Sequence, residues 1–472
     1  MTQGHTPPPV TGDIQVWSQN IVHYLKRTAS RLQHKSPSTS AAENGVIMWD
    51  AVNGYPVVSY DGIFRPLAYG DPMERYDAFG RLRVSNPATV FDSQLQYDKQ
   101  PLLWHEKTVT GGTATHMPAE SAVDMTVTTA SGASVIRQTK DYHRYQPGKS
   151  QQIFCTGVMG TAQANTNKLI GYGDAANGAF FGQDGGGLYV LLRSSVSGAA
   201  SDARKVYQAD WDGDTLDGTG QSRLTIDPAK TQIFTIDLEW LGVGQVRMGV
   251  VVAGVMITVH AFKNANLQTT TYMTTANLPV RYEITNTGAA AAPATLKQIC
   301  CQVTSEGGVS NLQKYPFATQ LVGVTVPNGE VNKTIVYAAR HATTFNGVSN
   351  RGLFAPDRYE VSAIGGTVYS QVLYGFATTG APTWAAVNAN SFMEGASDIG
   401  TGFTGGTVIE NGSSAAGTTG SKVGAPNPRG LSARLPFGLD IDGANPIMLG
   451  LALYATSASV KADVSFHWEE VR

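Results

Sequence analysis

The sequence predicts a mainly β protein of antiparallel sandwich domains, preceded by one N-terminal helix and a small β-meander. Three observations predict it. Charged residues make up 15% of the 472-residue chain while glycine reaches 52, a composition suited to short strands and tight turns. Apolar and polar residues alternate over many short runs, the period of half-buried strands. Helical spacing is convincing in one stretch only, near the N-terminus.

That stretch follows an extended stub with Pro7, Pro8 and Pro9 in sequence, the composition of linkers and docking peptides. From Ile14 to His34, Ile14, Trp17, Ile21, Leu25 and Leu32 fall on one stripe, and Lys26, Arg27, Arg31 and Lys35 add a basic face. About 21 residues make roughly 30 Å of helix. Three readings stay open: an amphipathic helix packed on its own domain, an attachment and oligomer interface, or a helix lying on a membrane surface. Three short strand signals come next, Val46–Asp50, Tyr55–Ser59 and Ile63–Leu67, punctuated by Asn53-Gly54 and Asp61-Gly62. Such dipeptides reach positive φ cheaply, as hairpin turns require. Three short strands enclose no core of their own, so residues 1–75 are expected to pack on something else.

Residues 71–100 connect to a region where the strand pattern is dense. Its clearest stretch is 234–262. Ile236, Leu238 and Trp240 face one way; Thr235, Asp237 and Glu239 face the other. Val246, Met248, Val250 and Val252 then share a face, as do Val255, Ile257 and Val259. A meander with one apolar face is half of a sandwich. Residues 76–310 form this central domain, ending near Ser305-Glu306-Gly307-Gly308. Residues 311–472 form a second β domain. It closes on two regular strands, Ile447 to Leu453 and Val460 to Trp468. The Gly-, Ser- and Thr-rich stretch 395–430 reads as long loops.

Composition also excludes functions. A net charge of −2 gives no basic surface for nucleic acid. No run of 18 apolar residues occurs, so no membrane insertion is expected. The opening MTQGHTPPPV lacks an apolar core, and a soluble protein without a secretory signal is expected. Cys155, Cys300 and Cys301 form neither a disulfide framework nor a zinc spacing.

Catalytic signatures are near-misses. Gly148-Lys149-Ser150 ends like a phosphate loop, but His143 stands where the first glycine belongs and a strand follows. Asp210, Asp212, Asp214 and Asp217 crowd one loop. Alternating acids can wrap Ca²⁺, yet Thr215 and Gln221 occupy the EF-hand's glycine and glutamate positions. A structural Ca²⁺ is the one cofactor this loop suggests, beside an ordinary Asp-Gly-rich turn. Thr235-Ile236-Asp237-Leu238-Glu239-Trp240 resembles the catalytic strand of laminarinase-like glycoside hydrolases, whose fold is a concanavalin-like sandwich. Asp237 and Glu239 match the motif's middle and last acids, but Thr235 replaces its nucleophile. Retaining hydrolysis needs two carboxyl groups. Asp237 and Glu239 therefore suggest a glycan-binding cleft without hydrolysis, beside a plain polar strand face.

Four further segments carry a broader resemblance. Phe79-Gly80-Arg81-Leu82-Arg83-Val84-Ser85, Tyr145-Gln146-Pro147-Gly148-Lys149-Ser150, Asp237-Leu238-Glu239-Trp240-Leu241-Gly242-Val243-Gly244 and Leu278-Pro279-Val280-Arg281-Tyr282-Glu283 resemble a block of uncharacterised tailed-phage virion proteins. The resemblance covers roughly residues 76–310 and implies a virion or tail component without a catalytic residue. The expectation is thus a non-enzymatic structural protein of a phage particle, made in the bacterial host cytoplasm and assembled into the virion. Its sandwiches would be of jelly-roll or concanavalin-like type. An appendage or fibre subunit anchored by residues 1–75 leads; a capsid decoration protein and a glycan-binding host-attachment module are the alternatives. Expected partners are other virion proteins, copies of itself (a trimer favoured) and a host surface glycan.

Overall fold

The structure is a computed structural model, and it describes residues 76–308, 314–415 and 436–471, together with the backbone of short strands at 47–50, 55–60, 63–66 and 421–423. The expected helix, with Ile14, Trp17, Ile21, Leu25 and Leu32, lies outside the described residues. The three short strands form one antiparallel sheet in sequence order, Ile47–Asp50, Tyr55–Tyr60 and Ile63–Pro66.

The chain divides into two compact units. The first comprises residues 1–99, 108–136 and 143–309; the second comprises 100–107, 137–142 and 310–472.

In the first unit, one sheet runs Ser201–Tyr207, Gly187–Ser194, Gly178–Asp184, Thr166–Gly173, Val280–Asn286. A second sheet runs Val255–Phe262, Val246–Val252, Gln232–Leu238, Gln151–Val158, Ala294–Ser305, Ala122–Val127, Thr113–Met117, with Ala88–Gln94 also paired to Ala294–Ser305. The two sheets pack face to face. Phe181 of the first meets Phe234 of the second with ring centroids 4.7 Å apart. Tyr282 reaches from the first sheet to donate to the carbonyls of Thr156 and Cys300 at 3.2 and 3.1 Å. Phe234, Ile236, Leu238, Val246, Met248 and Val250 are all buried, so the inward face of the meander is the one its alternation predicts. This is an antiparallel β-sandwich.

The second unit is also a sandwich. One sheet runs Tyr315–Val326, Val460–Val471, Leu353–Ile364, Ser421–Val423; the other runs Ala385–Ala386, Met393–Ala396, Thr334–His341, Met448–Ala455, Val368–Thr378, Phe403–Ser414. Their inner faces share a core of Tyr337, Phe354, Val361, Leu451, Leu453, Phe466 and Trp468, with the Tyr337 and Phe466 rings 5.8 Å apart.

The Gly-, Ser- and Thr-rich stretch 395–430 holds strands rather than long loops alone. Met393–Ala396 and the twelve-residue Phe403–Ser414 are strands. Phe403–Ser414 pairs along its whole length with Val368–Thr378 as the last strand of its sheet. It is mostly exposed, and Gly405 and Gly406 take positive φ. An edge strand that buries neither face leaves no alternation to read.

Candidate functional site

The acids of the laminarinase-like segment do not form an open cleft. Asp237 lies opposite Arg247 and Gln152 on the neighbouring strands, on the face turned away from the sandwich core. That face is covered. Thr235 and Asp237 are fully buried, where the sequence suggested an exposed polar strand face. The cover is the connector that begins at Tyr76. Arg83 and Arg247 both donate to Asp237 Oδ2, and the Ser150 hydroxyl donates to Oδ1 at 2.6 Å. Arg83 also donates to Gln152 Oε1 at 3.1 Å and pairs with Glu306. Gln245 Nε2 donates to the Ala78 carbonyl at 2.8 Å, and Arg81 to the Gly148 carbonyl at 2.9 Å. A buried carboxylate needs such pairing, because its desolvation is otherwise prohibitive. Three of the four segments 79–85, 145–150, 237–244 and 278–283 therefore meet at one ion cluster, through Arg83, Ser150 and Asp237.

Glu239 stands one step further along the strand, half-buried. Burial, then the nearby Asp77 charge, pushes its carboxyl above the usual range. Its side chain lies against Gly244, where a Cβ would sit 2.5 Å from Glu239 Cγ. Asp237 is thus committed to two arginines and Glu239 to a turn.

The acidic loop distributes its carboxylates among separate internal donors. Asp212 takes His260 Nδ1 at 3.0 Å and Lys263 at 3.3 Å; burial opposes ionisation, but these partners hold it down at about 2. Asp214 is buried and accepts the amides of Leu216 and Ser222 at 2.9 and 2.5 Å. Asp217 accepts from Thr215 and Thr219 at 2.8 and 2.6 Å. Asp210 ends the 3₁₀ turn Gln208–Asp210. Among the described residues no group of three His, Cys, Asp or Glu side chains is placed to hold a metal ion.

A groove on the outer face of the first unit's other sheet has more open chemistry. Its volume is about 460 Å³, within the range of small-molecule sites. Strand register builds it. Tyr189 lies opposite Gly182 on one side and Tyr207 on the other. Gly182 leaves room for the Tyr189 ring: a Cβ there would sit 2.2 Å from it. The ring therefore lies across the glycine and forms the floor, 1% exposed, while Tyr207 is 36% exposed at the lip. The two rings stand edge to face, centroids 5.8 Å apart at 71°. Asn167, Asp184, Asp202 and Lys205 line it, with Asn165, Thr166 and Thr287 as further polar residues.

Each charge in the groove has a fixed partner. Lys205 Nζ sits 3.9 Å from the Tyr189 ring centroid and 5.0 Å from that of Tyr207, a cation–π arrangement, and pairs with Asp184. Asp184 also accepts the Gly186 amide at 2.8 Å and the Tyr207 hydroxyl at 3.0 Å. Burial alone would raise its carboxyl, but these donors outweigh it and hold Asp184 below the usual carboxylate range. Asp202 is gripped by Arg193 through two hydrogen bonds of 2.7 and 2.9 Å. The Tyr189 hydroxyl donates to Asn167 Oδ1. Burial, then the Asp184 charge, keeps that phenol protonated.

Beneath the groove, Lys168 and Gln183 pair in register and anchor the adjoining loop. Lys168 Nζ donates to the carbonyls of Met159 and Thr161 and to Gln183 Oε1, and Gln183 Nε2 donates to the Gly160 carbonyl at 2.9 Å. Burial lowers the Lys168 ammonium to about 8. The groove is thus rigidly supported, as a binding site requires.

None of these groove residues stood out in the sequence. The one local cue was Asp184-Gly185-Gly186-Gly187 before Tyr189, a turn that returns an aromatic strand upon itself. The apposition of Tyr189 with Tyr207 depends on strand register, which a single sequence leaves open.

No protein-family model matches the chain, and no curated protein matches it. Among solved structures it is similar to a protein of unknown function from Shewanella oneidensis MR-1, at 7% identity over 47% of this chain and 87% of that one, with a TM-score of 0.31. It is similar to a legume lectin-like domain from Entamoeba histolytica at 8% identity, covering 46% and 98%, with a TM-score of 0.28. A structure described under endo-acting O-glycanases of the human gut microbiota aligns at 9% identity, covering 46% and 99%, with a TM-score of 0.34.

Proposed function

We propose that the protein is a non-catalytic, glycan-binding structural component of a tailed-phage particle, with the groove between Asn167, Asp184 and Tyr207 as its sugar site. The observation that carries the binding reading is the groove itself. An accessible tyrosine ring stands beside fixed carboxylate and amide groups on a sandwich face. Apolar C–H faces stack on such a ring, and hydroxyls bond such polar groups.

Absence of hydrolysis is part of the proposal. Asp237 is sealed by Arg83 and Arg247, and Thr235 stands at the nucleophile position, so the pair of carboxyl groups that glycoside cleavage uses is not assembled on that strand. The virion reading is supported by the four-segment resemblance. It carries the appendage role, a homotrimer and anchoring by residues 1–75 as its finer parts.

Two assays separate the parts. Glycan-array screening with a parallel reducing-end assay is expected to give binding without sugar release. Release abolished by Glu239→Gln would overturn the non-catalytic reading, and an array without hits would overturn the binding one. Particles assembled with a chain lacking residues 1–40 are expected to omit it; normal incorporation would contradict the anchoring role.

A further inference from the structure

We propose that the groove's ligand is an uncharged oligosaccharide, and that Tyr207 supplies its stacking face. This deepens, and rests on, the glycan-binding reading of the same groove.

Charge decides the class of ligand. Asp184 is matched by Lys205, and Asp202 by Arg193. Each acid in the lining thus has a cation partner, and none stands alone to attract an ionised ligand. A sulfated or uronate sugar would have to take Lys205 from Asp184, stranding that carboxylate beside the ligand's own charge. An amino sugar would have to take Asp184 from Lys205, whose ammonium would remain against the Tyr189 ring. Either exchange trades one ion pair for another and adds desolvation of the incoming charge.

Neutral hydroxyls ask for less. They donate to and accept from groups that remain in place. Asn167 lines the groove; its Oδ1 is taken by the Tyr189 hydroxyl, and its NH₂ makes no hydrogen bond to the described residues, so it is left as a donor. Asp184 keeps accepting capacity beyond Lys205, the Gly186 amide and the Tyr207 hydroxyl.

The two tyrosines are not equivalent. Lys205 lies closer to the Tyr189 ring, at 3.9 Å, than to the Tyr207 ring, at 5.0 Å, and Tyr189 is only 1% exposed. Tyr207, on the edge strand of its sheet and 36% exposed, offers the accessible ring. A pyranose entering the groove meets Tyr207 first and leaves the floor as it is.

The test uses the full chain on an array of neutral, sulfated, uronate-containing and amino-sugar oligosaccharides. The strongest neutral hit is then titrated by calorimetry at low and high NaCl, with wild type, Tyr207→Ala and Tyr207→Phe. The proposal expects neutral hits and an affinity that changes less than about twofold between roughly 0.05 and 0.5 M salt, because no ion pair is made or broken. It expects Tyr207→Ala to weaken binding at least about tenfold and Tyr207→Phe, which keeps the ring, to retain most of it. Hits confined to charged sugars, weakening with salt, would overturn the ligand class while leaving a glycan site in place. Neutral binding indifferent to Tyr207→Ala would overturn the role of this residue. No glycan hit would overturn the binding reading and this inference together.

Discussion

Arg83 pairs with Asp237 across 154 residues of sequence, on the outer face of the sheet that holds Gln232–Leu238. The contact ties the connector that begins at Tyr76 to the body of the sandwich. It does so at the point where the sequence suggested a sugar cleft. Asp237 is fully buried and Arg83 is 11% exposed, so the pair is shielded from solvent. Arg247 and Ser150 share the same carboxylate. The cluster is a structural latch: it neutralises a charge that the strand could not otherwise bury.

Arg83→Met removes one of two guanidinium partners while keeping an apolar stem. Breaking a buried ion pair costs about 3–5 kcal/mol when one charge is stranded. Arg247 remains, so the expected loss is toward the lower end, about 3 kcal/mol. Denaturant unfolding checks it, and an unchanged midpoint would mean the cluster contributes no stability.

Gly182→Ala probes the groove floor. The added methyl would sit 2.2 Å from the Tyr189 ring, so the ring has to lift and carry Lys205 with it. Overpacking of this kind costs about 1–3 kcal/mol. The variant is expected to remain folded at a lowered midpoint and to lose glycan binding. Binding at the wild-type level would show that the floor is not part of the site.

Acid sensitivity of the second unit is expected to involve His341. The side chain is fully buried, stacked on Phe392 at 5.1 Å, with Nε2 3.0 Å from the Gly352 carbonyl. Burial lowers its pKa from 6.5 to about 4; the Gly352 carbonyl opposes the shift and Arg351 adds to it. The folded pKa is depressed, so the unfolded chain takes up this proton first as the pH falls. The stabilising effect of a neutral His341 is therefore complete above pH 6.5 and is lost progressively between 6.5 and 4, at about 1.4 kcal/mol per pH unit. His341→Gln keeps an N–H for the Gly352 carbonyl and removes the titration. Its unfolding midpoint should fall less between pH 7 and 5 than the wild type's. Parallel profiles would contradict the assignment.

Much of the fold was legible because burial leaves a period. Phe234, Ile236 and Leu238, and later Val460, Ala462, Val464, Phe466 and Trp468, alternate in the sequence and are buried in the structure. Phe403–Ser414 was not legible, because an exposed edge strand has no face to mark. The site was legible least. Asp237 and Glu239 attracted notice through their spacing, yet spacing gives no sign that Arg83, far back along the chain, fills the face in front of Asp237. The groove residues come from strands paired by register, with Asn167, Asp184, Tyr189 and Tyr207 each unremarkable in its own segment.

A crystal structure of the chain soaked with the strongest neutral oligosaccharide from the array tests whether the groove holds sugar. The expected result is a sugar ring stacked on Tyr207, with hydroxyls at Asp184 and the Asn167 NH₂ group. Sugar bound elsewhere, with the groove between Tyr189 and Tyr207 empty at saturating ligand, would contradict it.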